Sequence, residues 1–309
     1  MRALSHLAPA SGAAFRRIYV NDKHFSEAQP RCYIVLDVES AVADEAGHRR
    51  YQAMERWSGN DDESRRGYKR DEDPLKTPRW PFQTVFAVSV MVLFEHCQGS
   101  IDVSRFETFA APDLDERGIM VAFYQLLGEL PEGAEIVSWA GGWHDFPLIK
   151  IAALRHGLSL PPRFRWMAWS GEGKANHIDL CRVLTGGSKM KPVHLAEYAA
   201  SLNIPAKITA PPFAVAGFIM AGDFKSCQEC VEVDVITTVL ILARWRKLLD
   251  PGARSEVVED RLLRQVEELK GTRRYIPALR AHRAMLQRQM MLAAANDVDA
   301  IDNEGSIAA

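Results

Sequence analysis

Cys32-Tyr33-Ile34-Val35-Leu36 is an unbroken apolar run that ends abruptly on Asp37-Val38-Glu39. Its β-branched and aromatic residues predict a buried strand, and alternate residues of a strand share a side, so the two carboxylates face one way. Gln83 to Glu95, with Thr84, Val85, Phe86, Val88, Val90, Val92 and Leu93, predicts a long central strand, and a third is expected near Ser104 to Phe109. The period then changes. Gly118 to Leu130 sets Met120, Phe123, Tyr124, Leu127 and Leu130 at helical spacing until Pro131 stops it. Glu135 to Trp139 predicts a short strand and Phe146 to His156 a helix. Three strands, a helix, a strand and a helix make an α/β sheet protein.

Further along, Asn176 to Leu180 reads as the start of a short helix with Asp179 in its first turn, and Lys191 to Leu195 opens another. Ala221 to Leu249 is apolar at helical density through Cys227, Cys230, Val231, Val235, Ile236 and Val239. Beyond Pro251-Gly252, Ser255 to Lys270 carries one apolar stripe, Gly271 ends it, and Ala278 to Ala295 forms an Arg- and Met-rich helix. The expected organisation is a flexible N-terminal extension over 1–29, a main domain over 30–250, a helical appendix over 251–296 and a disordered tail over 297–309.

Composition narrows the classes. With 309 residues and 47% hydrophobic content there is ample material for a core. A net charge of -2 argues against tight non-specific duplex binding but leaves room for local basic grooves. Arg163 and Arg165 with Trp166, and Lys189 with Lys191, are candidates for such grooves. Five cysteines are an odd number without framework spacing, which favours a reducing, cytoplasmic setting. Cys227 and Cys230 form a lone C-x-x-C with no second pair to complete a zinc site, and read as helix packing. The longest apolar runs are too short or interrupted to cross a bilayer, so no membrane association is expected. Asp44 to Arg79 is charge-dense and mixed in sign, which predicts a solvated excursion.

The chemistry lies in three acidic stretches. Two like charges at the mouth of a buried strand destabilise it unless a cation neutralises them, so Asp37 and Glu39 are candidate ligands for a hard divalent metal. In Trp139 to Ile149, WAGGWHDFPLI, two glycines allow a tight turn and Asp145 stands where a helix begins, either as a ligand or as that helix's cap. Asp234 lies between Val233 and Val235, where an acid needs a partner such as a metal shared with Asp37, Glu39 and Asp145. His144, His177 and His194 lack ligand spacing and read as structural or substrate-positioning.

In order, LDVES, SWAGGWHDFPLI, HIDL and AGDFKSCQECVEVDV resemble the motifs of the DEDD superfamily of 3′-5′ exonucleases. The likeness is nearest to bacterial predicted exonucleases related to the proofreading domain of family B DNA polymerases. It implies an RNase H-like mixed sheet flanked by helices, with a C-terminal helical extension here. It also implies Asp37, Glu39, Asp145 and Asp234 as metal-binding catalytic acids for two magnesium ions, with manganese as a substitute. The implied reaction is hydrolysis at the 3′ end of DNA, in single strands, to nucleoside monophosphates. Asp179 falls on a supporting motif.

The chain departs from the family where Ala140 replaces Asn, Trp143 replaces Gly and His144 replaces Phe. It also carries Cys230 where a water-positioning Tyr is usual, and Glu229 where a second branch has His. Glu229 is therefore a candidate acceptor of the water proton, and Trp143, His144 and Cys230 are candidate nucleic-acid contacts. Restoring the tyrosine, Cys230→Tyr, is expected to speed cleavage. Two other readings stay open: a non-catalytic nucleic-acid-binding or scaffolding protein with a degenerate site, and an exonuclease acting on RNA.

Overall fold

The computed structural model describes residues 30–42, 80–96, 99–168, 176–187, 193–211, 213–249 and 254–307, with side chains described as far as residue 295. The expected N-terminal extension, the charged stretch from Asp44 to Arg79, and Lys189 and Lys191 lie outside the described residues. The sheet is built from β1 (Arg31–Ala41), β2 (Thr84–Glu95), β3 (Ile101–Ala110), β4 (Glu135–Ser138) and β5 (His177–Asp179). Its order is β3-β2-β1-β4-β5, with β1 to β3 antiparallel and β4 and β5 parallel to β1. This is the RNase H-like arrangement that the motif order implies.

The central position of β1 explains its unbroken apolar run, because both faces are covered. Cys32, Ile34, Leu36 and Val38 pack in one core with α1 (Glu116–Glu129) and α2 (Asp145–His156). Tyr33 and Val35 pack on the other side with α6 (Phe224–Leu249). Between those two helices come α3 (Leu180–Thr185), α4 (Leu195–Ser201) and α5 (Ala214–Met220). The Asn176 to Leu180 stretch corrects the sequence expectation. His177–Asp179 is a strand pairing with β4, and Asp179 is the N-cap of α3, accepting from Arg182 N. Three residues carry too little periodicity to distinguish the two, and pairing with a neighbouring edge decides.

The chain closes with α7 (Ser255–Lys270) and α8 (Ile276–Ile307). Both pack on the sheet: Leu262, Val266, Tyr275 and Leu279 lie in the same core as Tyr33 and Val35. At the edge strand, Val103 N donates to Gln265 Oε1 at 2.9 Å, so a side chain of α7 satisfies a backbone group that the sheet leaves unpaired. Helical backbone in α8 continues to Ile307, where a disordered tail was expected from Asp297. The run Leu292 to Ala295 has high helix propensity and carries the helix onward. Among the described residues no helix is long and apolar enough to cross a membrane.

Candidate metal centre

Three elements bring the acids together. Asp37 and Glu39 leave the end of β1 on one side, opposite the small residues Ser89 and Ala87 of β2, and the register shifts just after Glu39. Asp234 arrives from the middle of α6, and ligand oxygens of Asp37, Glu39 and Asp234 lie within 4.8 Å of one another. Asp145 opens α2 from the turn after β4. His144, not Asp145, occupies the cap position, so capping is not what Asp145 does there.

Asp145 Oδ1 faces His144 Nδ1 at 3.2 Å, while Asp145 Oδ2 is buried without a hydrogen-bond partner. Asp234 Oδ1 is in the same condition. Buried carboxylate oxygens left unmatched are costly, and oxygens converging from separate elements suit a hard divalent ion. The electrostatics agree. Burial first, and then Asp145, Asp234 and Glu39, push the Asp37 carboxyl well above the usual range. Glu39 is pushed up to about 8 by burial and then by Asp234. Burial raises Asp145 and Asp234 too, against the pull of His144 on the first and Lys207 on the second.

The turn between β4 and α2 holds Asp145 in place. Ala140 adopts a left-handed φ of 57°, a conformation uncommon for a residue other than Gly, Asn or Asp. Asp179 Oδ1 accepts from Ala140 N at 3.0 Å, which makes Asp179 a positioning residue for the turn. Gly141 N donates to Ser138 Oγ at 3.2 Å, and Ser138 Oγ lies 2.9 Å from His177 Nε2. A Cβ at Gly141 would overlap the Ser138 hydroxyl and come within 2.9 Å of Asp145 Oδ2. Gly141→Ala is therefore expected to move Asp145 and lower metal affinity by ~10- to 100-fold, as when a group supporting a ligand is lost. Calorimetric titration with manganese checks this; unchanged affinity would mean that Asp145 is not a ligand.

The remaining candidates separate. Trp143 is 48% exposed at the rim, and the Arg182 guanidinium lies over its ring, 5.5 Å from the centroid. His144 is also open to solvent on one side. Cys230, by contrast, is 3% exposed, packed with Val215 and Ile219, and 3.6 Å from Thr209 Oγ1. It offers no free surface to nucleic acid, which corrects the sequence expectation. A tyrosine in its place would collide with the segment around Thr209, so Cys230→Tyr is expected to lower the melting temperature instead of simply restoring a water-positioning group.

Glu229 is corrected as well. Five residues before Asp234 on a helix it points about 140° away around the axis. It is fully buried and held by Arg274, whose Nε lies 2.5 Å and backbone N 3.2 Å from its two oxygens. It therefore does not reach the acid cluster. Of the basic candidates, Arg163 donates to the Leu130 carbonyl and Trp166 stacks on His177, so both are engaged internally. What sequence reasoning missed is Lys207, whose Nζ donates to Asp234 Oδ2. Asp234, Asp37 and Glu39 together hold its ammonium charged against the effect of burial. A lone lysine in a loop carries no motif, and its only sequence signal is its apolar setting in Ile204 to Ala210.

Residues 77–275 match the family described as a predicted 3′-5′ exonuclease related to the exonuclease domain of PolB. That stretch contains Asp145 and Asp234, while Asp37 and Glu39 precede it. None of the curated proteins compared with the chain matches it. Among solved structures, the chain is similar to the family B DNA polymerase of the hyperthermophilic archaeon Pyrobaculum calidifontis. The identity is 17% over 78% of this chain and 30% of that one, with a TM-score of 0.45. It is also similar to E. coli exonuclease I in complex with a dT13 oligonucleotide, at 12% identity over 77% of this chain and 46% of that one, with a TM-score of 0.33. The chain thus spans less than half the length of either structure.

Proposed function

Because the chain belongs to the family of predicted 3′-5′ exonucleases related to the exonuclease domain of PolB, we propose that it removes nucleotides from the 3′ end of single-stranded DNA at a two-metal centre. Asp37, Glu39, Asp145 and Asp234 would hold the ions, magnesium by preference with manganese as a substitute. When bound, such ions supply a hydroxide nucleophile at neutral pH and offset the charge developing on the departing 3′-oxygen. The observation carrying this reading is the convergence of Asp37, Glu39 and Asp234 within 4.8 Å, beside buried oxygens of Asp145 and Asp234 that lack protein partners.

The other residues complete the site. Trp143, backed by Arg182, presents an aromatic face on which a base can stack, with a cation close by for the phosphate. His144 steadies Asp145 through its Oδ1. Asp179, Ser138 and Gly141 hold the turn that aims Asp145 inward. Tightness of this turn matters because misplacement of a reacting group by about 1 Å costs on the order of 10²-fold in rate.

A second reading has its own support. Cys230 is buried and Glu229 is turned away, so neither positions water, and Lys207 already neutralises part of the acid cluster. These features suit a nucleic-acid-binding protein that has lost efficient cleavage. Digestion of 5′-labelled single-stranded DNA and RNA separates the readings, with magnesium, manganese or chelator present. A DNA ladder shortening from the 3′ end, abolished by chelator and by Asp37→Asn, is the expected result. Retained DNA binding without cleavage in either metal would favour the binder, and faster digestion of RNA would change the substrate.

A further inference from the structure

Lys207 is the lysine or arginine that, among the described residues, pairs with one of the four acids. We propose that it is a resident counter-cation of the centre, occupying Asp234 in the metal-free protein and giving way when a divalent ion binds. This inference rests on the metal-centre reading and adds a competitor that the reading does not contain.

The lysine is delivered by a short segment clamped to α6 on both sides of Asp234. Thr237, three residues after Asp234, shares its Oγ1 proton between Pro205 O at 3.0 Å and Val233 O of its own helix at 2.8 Å. Cys230, four residues before it, lies 3.6 Å from Thr209 Oγ1. On a helix both offsets fall on the face that carries Asp234, so the segment from Pro205 to Thr209 crosses directly over the acid. Ile204 is buried and its N–H donates to Ala199 O at 2.9 Å, which fixes the approach. Lys207 itself takes a left-handed φ of 50°, an uncommon conformation for a lysine. The surrounding clamps hold that conformation, and only 18% of its side chain remains exposed.

Its target is the carboxylate that a metal also needs. Asp234 Oδ2 accepts from the ammonium while Oδ1 stays buried and unmatched. An ammonium and a divalent ion sharing one carboxylate repel each other, so occupancy by one weakens the other. In the absence of metal the lysine offsets part of the repulsion among four acids that face one another. The departure at Cys230 then has a physical account. A small side chain one turn before Asp234 leaves room for Thr209, and through it for the segment that presents Lys207.

The test is calorimetric titration of the full chain with manganese, in the wild type and in Lys207→Met, which keeps most of the aliphatic stem and removes the charge. Removal of the competitor is expected to tighten metal binding by on the order of 10- to 100-fold, the worth of a hydrogen bond to a charged group. Equal or weaker binding in the variant overturns the inference and leaves the metal centre standing. Absence of binding in both proteins overturns the inference and the metal centre together. If the variant does not fold in chelator, mass-spectrometric acylation of wild-type lysines decides. Lys207 is expected to react faster with saturating manganese than in chelator, and an unchanged rate overturns the proposal.

Discussion

Asp37→Asn is expected to abolish metal-dependent cleavage while raising the melting temperature of the protein in chelator. On the proposed metal-centre reading, the first effect follows from removing a charged ligand from a site whose acids come from separate elements. Loss of a group merely supporting a metal ligand lowers activity or affinity by about 10- to 100-fold, and loss of the ligand's charge is expected to exceed that. The second effect has the opposite sign because the metal-free site is electrostatically unfavourable. Asp37 stands among Asp145, Asp234 and Glu39, and its carboxyl is pushed upward by burial and by all three. An acid with a raised folded-state pKa binds more protons folded than unfolded, so its ionisation lowers stability as pH rises. In chelator the wild type should therefore lose stability from about pH 4, the ordinary carboxylate range. The loss continues through the region near pH 8 where Glu39 ionises. The variant's advantage is largest at the alkaline end of that window. Activity assays together with melting curves in chelator at several pH values check both parts. An Asn variant that is less stable than the wild type at neutral pH would mean that the acids are not crowded as described.

Glu232→Ala is expected to cost about 3–5 kcal/mol of stability, the range found when one partner of a buried ion pair is removed. Glu232 is fully buried on the side of α6 opposite Asp234. Its oxygens accept from Thr108 Oγ1 at 2.8 Å, Lys270 Nζ at 2.9 Å, Arg273 Nη2 at 2.8 Å and Tyr275 Oη at 2.9 Å. These partners come from β3 and from the join between α7 and α8, so one carboxylate ties the sheet, the acid-bearing helix and the C-terminal helices together. Truncation to Ala would leave two cations and a buried phenol without their acceptor. Glu232→Gln, which keeps an oxygen acceptor but not the charge, should lose less. Chemical denaturation of both variants measures the difference, and a loss below ~1 kcal/mol, as for an exposed pair, would contradict the buried network.

Several features could be read directly from local sequence. The run from Cys32 to Leu36 specified a buried strand because its length and β-branched content suit a fully covered position, and the spacing of Asp37 and Glu39 put both acids on one side. Asp234 stood out because an acid among valines on a helix is unfavourable without a partner. Asp145 was visible as an acid following a Gly-Gly turn, although whether it capped the helix depended on which residue took the cap position. Each of these inferences uses residues within a few positions of one another, where backbone geometry alone relates the side chains.

Tertiary structure decided the rest. Glu229 and Cys230 are adjacent in sequence, yet one turns toward Arg274 and the other toward Thr209. Helix phase could set their directions, but not what waited there. The C-terminal helices looked like an appendix because their apolar stripes name no partner, and only folding places Tyr275 beside Glu232, 43 residues away. Lys207 reaches Asp234 across 27 residues, through a loop whose path is set by anchors on α6. The sequence by itself determined the strand, the helix and the acids they carry, since those depend on local periodicity and on the cost of burying charge. The tertiary structure alone decided which cations answer those acids, because that depends on where distant segments cross, and no local pattern encodes the crossing.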